Sequence, residues 1–95
     1  MAEQSSDNPL QETLLITNRM GIHARAAAMI SEAAAKARGG VWIIYGNTHA
    51  DAVNMLDVMS MAVGLGERIT VMVEQAGDAH ILRRITEMVK NGFGE

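Results

Sequence analysis

The alternation of hydrophobic and polar residues along the chain predicts four β-strands. The clearest strand covers residues 68–74, where every second residue is a β-branched aliphatic. Residues 41–45 are β-branched or aromatic throughout, and the Gly46-Asn47 pair that follows them is a two-residue turn signal of a β-hairpin. The four predicted strands cover residues 12–17, 41–45, 48–50 and 68–74.

Runs of good helix formers and their capping residues predict three helices between these strands. The longest helix is dominated by alanine, the best helix former, and Gly39-Gly40 is expected to end it. Asn54 is a favourable N-cap for a short second helix, and Asp78 is predicted to cap the last helix in the same way. The three predicted helices cover residues 24–38, 55–62 and 79–91.

The resulting order of elements, βαββαβα, predicts an α+β fold. In this fold class the helices pack on one face of a mainly antiparallel sheet, because each helix must bury its apolar stripe against another layer. We therefore expect a four-stranded sheet with three helices on one face. Residues 11–95 are predicted to form a single domain, and residues 1–10, which are mostly polar, are predicted to be a disordered tail.

Composition narrows the possible classes of function. A chain of 95 residues has room for one small core. The net charge of −3 argues against a nucleic acid as the main partner, because phosphate backbones are bound by basic surfaces. The chain contains no cysteine and no apolar run long enough to span a membrane, and its start does not resemble a signal peptide. We therefore expect a cytoplasmic protein without disulfides, thiolate chemistry or membrane partners.

The candidate chemistry lies at His23, immediately before the predicted first helix. A helix N-terminus offers unpaired N–H groups and the positive end of the helix dipole, so it attracts anions. Arg25 can add a guanidinium suited to phosphate oxygens. A nucleophilic imidazole beside such a cradle could carry a phosphoryl group covalently. The alternative is a histidine that only caps its helix, with Arg25 solvated, and the spacing alone leaves both interpretations open.

Residues 18–28, with the sequence NRMGIHARAAA, resemble the phosphorylation-site motif of the HPr family. A second stretch, residues 55–66 (MLDVMSMAVGLG), is similar to the small second helix of that family and its glycine-rich exit. The resemblance extends over about residues 12–94. It implies the family fold, an open-faced β-sandwich of four strands and three helices, and it implies a phosphocarrier that is not itself an enzyme.

The resemblance also implies roles for individual residues and partners. His23 would accept phosphate through its Nδ1 atom, and Arg25 would steady the phosphate together with the backbone N–H groups of Ala24, Arg25 and Ala26. The donor would be enzyme I, charged by phosphoenolpyruvate, and the acceptors would be enzyme IIA components. We expect a monomer that needs no cofactor and no metal. Partners would dock on an apolar patch of Met55, Leu56 and Met59, whose flexible side chains suit several partners. For Met59 the alternative, that its side chain covers the sheet, stays open.

Two departures from the family pattern bear on the pathway. Ala26 stands where many members that serve sugar uptake have proline, and the alanine run resembles the nitrogen-related, regulatory branch of the family. Asn54 stands where many members carry a regulatory serine, so we expect that serine switch to be absent.

Two alternatives to the phosphocarrier function remain open at this point. One is a docking regulator of the same fold, whose phosphorylation state controls its partners. The other is a small-ligand-binding domain.

Overall fold

The computed structural model describes residues 10–95, which form a four-stranded sheet with three helices packed on one face. The strands are β1 (Gln11–Leu15), β2 (Val41–Tyr45), β3 (Thr48–Asp51) and β4 (Arg68–Val73), and the helices are α1 (Ala24–Ala34), α2 (Met55–Ser60) and α3 (Ala79–Lys90). Single 3-10 turns cover Ala76–Asp78 and Gly92–Gly94. The predicted α+β architecture and the βαββαβα order are confirmed.

The sheet has the strand order β1-β4-β2-β3, and all of its neighbouring strands are antiparallel. Leu14 of β1 lies opposite Ile69 of β4, and Val71 lies opposite Ile43 of β2, so these buried side chains share the face that the helices cover. On the other face, the hydroxyl groups of Thr13 and Thr70 lie 2.9 Å apart, within hydrogen-bond distance. The sheet is therefore packed on one side only.

The core lies between the sheet and the helices. The buried residues of α1 are mostly alanines, which allow the helix backbone to approach its neighbours closely. The buried face of α3 is bulkier and consists of Ile81, Leu82, Ile85, Thr86 and Val89. Most of the predicted tail lies outside the described residues, but Leu10, which was assigned to the tail, is partly buried against this core.

The end of α1 and the start of α3 differ from the predictions for one shared reason. Asp78 occupies the N-cap position of α3 as predicted, but its side chain does not bond to the helix: the carboxylate instead accepts hydrogen bonds from the backbone N–H groups of Arg38 and Gly39, at 2.8 to 3.1 Å. This attachment fixes the segment after α1. The helix ends at Ala34, before the predicted Arg38, and the N–H groups of Lys36 and Ala37 bond to carbonyls only three residues back.

The short helix α2 begins as predicted and ends earlier. The Asn54 side chain accepts hydrogen bonds from the N–H groups of Leu56 and Asp57, which confirms Asn54 as the N-cap. The helix stops at Ser60, because Ala62 has a left-handed backbone conformation with φ of 52° that turns the chain away. No helix among residues 10–95 is long and apolar enough to cross a membrane.

Candidate functional site

His23 occupies the N-cap of α1, and its ring caps the helix through Nδ1. This atom accepts a hydrogen bond from the Ala26 N–H at 3.1 Å, while the His23 carbonyl accepts the first helical bond from Ala27 at 2.8 Å. An imidazole nitrogen that accepts a hydrogen bond must present its lone pair, so in the neutral ring the proton lies on Nε2. The geometry therefore leaves a lone pair on Nδ1, directed at the first turn of α1.

The first turn of α1 keeps two backbone donors available beside that ring. The N–H groups of Ala24 and Arg25 have no acceptor among residues 10–95, whereas the Ala26 N–H is bonded to the ring. Ala24 and Arg25 are exposed, so the open side of the helix end faces solvent. Of the three predicted donors, two have no acceptor among residues 10–95, and the third donates to the His23 ring.

The loop before His23 depends on the lack of a side chain at Gly21. This residue has φ of 63°, and a Cβ atom there would lie 2.4 Å from the Val63 carbonyl oxygen and 2.8 Å from the Gly64 Cα. The adjacent Ile22 N–H donates to the same Val63 carbonyl at 3.1 Å. The loop thus lies directly on the chain that leaves α2, and a bulkier residue could not make this approach.

Glu67 in turn holds residues 63–64, the segment against which Gly21 packs. Its carboxylate accepts hydrogen bonds from the Tyr45 hydroxyl and from the Gly64 N–H. The bond from Tyr45 is the main cause of a pKa for Glu67 below the usual range, and the Gly64 N–H adds to it. The sheet therefore supports the His23 loop through β2, Glu67 and Gly64.

The other ring nitrogen of His23 contacts a residue that the sequence analysis did not identify. Nε2 lies 2.8 Å from a carboxylate oxygen of Glu95, and the same oxygen accepts a hydrogen bond from the Asn18 side-chain amide at 2.9 Å. The Asn18 bond is the main cause of a lowered pKa for Glu95, and His23 and the Met20 N–H contribute. Glu95 is therefore ionised at neutral pH and can accept the Nε2 proton in a hydrogen bond.

Arg25 lies beside the site but does not contact the His23 ring. Its guanidinium donates to the Phe93 carbonyl at 3.0 Å and lies 3.5 Å from the Met29 sulfur. Phe93 is fully buried and has φ of 55°, and its ring meets the His23 ring edge to face, with the ring centres 6.5 Å apart. The segment that follows α3 is thus attached to both His23 and Arg25.

The three predicted docking residues differ in exposure. Leu56 is 72% exposed, whereas Met55 and Met59 are partly buried against the core. Two further exposed apolar side chains, Met20 at 67% and Leu65 at 57%, lie in the loop before His23 and after α2. These two loops contact each other through Gly21 and Gly64, so the apolar surface extends from α2 towards the helix end that carries His23.

Comparison with known proteins assigns the family. The model of the family described as PTS HPr component phosphorylation site matches residues 10–91. A phosphocarrier protein HPr from Treponema pallidum is 31% identical over 84 residues, which cover 88% of this chain and 96% of the relative. This chain belongs to the HPr family.

Other HPr proteins agree in sequence and in fold. The phosphocarrier protein HPr of Neisseria meningitidis serogroup A is 26% identical over 86 residues, covering 90% of this chain and 97% of the relative. The crystal structure of HPr-C-His from Thermoanaerobacter tengcongensis superposes with a TM-score of 0.83 at 26% identity, covering 90% of this chain and 96% of that one. HPr membership makes this chain a phosphocarrier of the phosphotransferase system rather than a catalytic enzyme.

Sequence reasoning did not identify three residues that lie around His23 in the folded chain. Asn18 lay within the recognised motif without an assigned role, while Phe93 and Glu95 were not considered. The signal available was the Gly-Phe-Gly run after α3, in which a lone aromatic residue between two glycines indicates a tight turn that buries its ring. Among residues 10–95 no cluster of three His, Asp or Glu side chains could hold a metal ion.

Proposed function

We propose that this HPr-family protein accepts a phosphoryl group on Nδ1 of His23 and passes it to a second protein. The observation that carries the proposal is the placement of the Nδ1 lone pair at the start of α1, beside two N–H groups without acceptors among the described residues. A helix start of this kind favours a negatively charged group. The nucleophile and the anion cradle are therefore parts of one helix end.

The transfer step follows from this geometry. The Nδ1 lone pair forms a bond to phosphorus while the bond between phosphorus and its donor atom breaks. The Ala26 N–H, which the ring holds before the reaction, can then donate to a phosphate oxygen in place of Nδ1. The Ala24 and Arg25 N–H groups are free to bind the remaining oxygens. The capping role and the carrier role of His23 thus use the same atom in succession.

Arg25 would steady the phosphate by using donors that it does not now employ. A guanidinium has five N–H donors, and the described contacts of Arg25 occupy only its Nη1 atom. The side chain is exposed, so a small rotation can bring its other donors to a bound phosphate while the helix stays in place.

The proposed partners are enzyme I as the donor and enzyme IIA-type proteins as acceptors. We propose that they dock on the apolar surface formed by Met55, Leu56 and Met59. Leu56 is the most informative of these residues because it is 72% exposed, so its replacement spares the core. Flexible apolar side chains can adapt to several partners.

The docking surface is tested by replacing Leu56 with Glu. We expect Leu56→Glu to raise the enzyme I concentration needed for half-maximal phosphorylation by about tenfold, as for a central interface residue. The control is Leu15→Glu, which puts the same charge on the uncovered face of the sheet, where Leu15 is 41% exposed. Equal effects of the two substitutions would show that the docking surface lies elsewhere.

The acceptor residue is tested by incubating the protein with enzyme I, phosphoenolpyruvate and Mg²⁺ and measuring its intact mass. We expect one acid-labile phosphoryl group on the wild-type protein and on His49→Ala, in which an exposed histidine of β3 is removed. We expect none on His23→Ala, which should still unfold cooperatively but at a somewhat lower temperature, because the side-chain cap of α1 is lost. Acid-labile phosphate on the folded His23→Ala variant would overturn the assignment.

A further inference from the structure

We infer that Glu95 is a positioning residue for phosphoryl transfer at His23, acting through Nε2 on the opposite side of the ring from the phosphate. This inference rests on the proposed function of His23 and adds a residue to it. Its basis is the 2.8 Å contact between Nε2 and the Glu95 carboxylate, in which both side chains are largely sheltered, with 16% and 23% of their surfaces exposed.

The Glu95 carboxylate is itself held in place. The oxygen that contacts His23 also accepts the Asn18 amide, and Asn18 is 5% exposed and donates a second bond to the Gly21 carbonyl at 2.8 Å. The Met20 N–H faces this carboxylate and also lowers its pKa. Donors from the loop before His23 therefore converge on Glu95, so the ring and its carboxylate partner are positioned by the same loop.

The His23 ring is consequently fixed from both sides. The Ala26 N–H requires a lone pair on Nδ1, and the Glu95 carboxylate requires a proton on Nε2. The two contacts select the same neutral tautomer and restrict rotation of the ring. Such an arrangement keeps a nucleophile oriented before the phosphoryl donor arrives.

The charge that develops during transfer gives Glu95 a second effect. When Nδ1 forms its bond to phosphorus, the neutral ring gives up a lone pair and becomes a cationic phosphoimidazolium, with its proton still on Nε2. The Glu95 carboxylate faces that proton and stabilises the new positive charge without removing the proton. When phosphorus leaves for the next acceptor, the electron pair returns to Nδ1 and the neutral ring is restored. The carboxylate remains ionised throughout.

The test compares Glu95→Gln with Glu32→Gln in single-turnover phosphorylation by enzyme I. Glu95→Gln retains the shape and an acceptor oxygen but removes the charge, whereas Glu32 is an exposed carboxylate of α1 without an ion pair among residues 10–95. We expect Glu95→Gln to lower the rate at saturating enzyme I about tenfold, as for loss of a charge-assisted hydrogen bond. Half-saturation by enzyme I should be unchanged, and Glu32→Gln should match the wild type in both quantities.

A ¹⁵N spectrum of the His23 ring reports on the hydrogen bond at Nε2. A purely structural role of Glu95 would leave the Nε2–H signal unchanged. We expect the Nε2–H signal to shift in Glu95→Gln and to stay in place in Glu32→Gln. An unchanged maximal rate, or a change confined to half-saturation, would overturn the inference and make Glu95 a structural or a docking residue. A wild-type protein that takes no phosphate on His23 would instead overturn the proposed function, so the two failures are distinguishable.

Discussion

The two ends of α1 are each tied to a carboxylate from the later part of the chain, but the two carboxylates bind different donors. After the C-terminal end, Asp78 is 1% exposed and accepts the backbone N–H groups of Arg38 and Gly39. At the N-terminal end, Glu95 is partly exposed and accepts the Asn18 amide and the proton of the His23 ring. The described hydrogen bonds of Asp78 all come from the backbone, whereas Glu95 also binds the His23 ring, the candidate phosphoryl acceptor.

The difference extends to the helix end itself. The Asp78 carboxylate binds the two N–H groups that it faces, so that contact is complete. The first turn of α1 keeps the N–H groups of Ala24 and Arg25 without acceptors among the described residues. Substitutions at the two ends should therefore have different consequences for phosphoryl transfer.

The largest effect is expected from Gly21→Ala, at the reactive end. An alanine here would adopt a left-handed backbone, with φ of 63°, and its Cβ would collide with the Val63 carbonyl. Together these effects should lower the unfolding free energy by at least about 2 kcal/mol. Phosphorylation should slow as well, because the loop orients His23. The control is Gly46→Ala, where φ is 60° but no atom lies within 4 Å of the new Cβ. Equal losses of stability in chemical denaturation would contradict the close contact.

Arg25→Ala should weaken transfer without weakening the fold. Loss of a charge-assisted contact to phosphate in a partly exposed site should slow transfer by about ten- to a hundredfold. The matched control is Arg84→Ala, which removes an exposed arginine of α3. Rapid-quench rates in both directions provide the measurement. If the two variants transfer phosphate equally fast, Arg25 has no part in the chemistry.

Asp78→Asn should weaken the fold without changing transfer, and its effect should depend on pH. The hydrogen bonds from the Arg38 and Gly39 backbone lower the pKa of Asp78. The ionised carboxylate therefore stabilises the fold above the usual aspartate pKa of about 4, and this contribution is lost as the pH falls through the lower folded value. Urea midpoints of the wild type and the variant should differ at about pH 7 and approach each other as the pH falls below the lowered pKa of Asp78.

A constant difference between the two midpoints at all pH values would contradict the role of the Asp78 charge. The comparison between the two ends of α1 would fail in another way if Asp78→Asn slowed phosphorylation at neutral pH, where both proteins are folded.

The smallest effect is expected from Ala62→Gly, after α2. Ala62 has φ of 52°, a conformation that costs an alanine about 1 kcal/mol and a glycine almost nothing. The substitution should raise the unfolding free energy by less than about 1 kcal/mol, since glycine also loses more entropy on folding. Thermal unfolding measures this change in unfolding free energy. The control is Ala24→Gly in the first turn of α1, which should not stabilise the protein. A lower unfolding free energy for Ala62→Gly than for the wild type would show that the left-handed conformation of Ala62 does not destabilise the fold.

The sequence predicted the fold well where a local pattern fixes the structure. The alternation of residues in β4 and the Gly46-Asn47 turn predicted the bounds of β2, β3 and β4 to within about one residue, and Asn54 caps α2 as expected. The predictions failed where a distant residue decides. Nothing near Asp78 in the sequence shows that its carboxylate reaches Arg38 and Gly39, since those residues lie about forty positions earlier.

The same distinction applies to the site. His23, Arg25 and the first-turn N–H groups follow one another in the chain, so a local motif was enough to predict them as a candidate site. Asn18 and Glu95 meet 77 residues apart, through a contact that only the folded chain forms. Exposure was also hard to predict, because the short α2 buries parts of Met55 and Met59 while leaving Leu56 in solvent.

The central claim is that the atom that caps α1 is the atom that carries phosphate. It is tested most directly by ¹⁵N and ³¹P NMR of the phosphorylated protein, labelled at histidine and at the backbone amides. The account predicts phosphorus coupled to Nδ1 of His23, a retained proton on Nε2, and a large shift of the Ala26 amide as its hydrogen bond passes to a phosphate oxygen. Phosphorus bound to Nε2, or to another residue, would contradict the account.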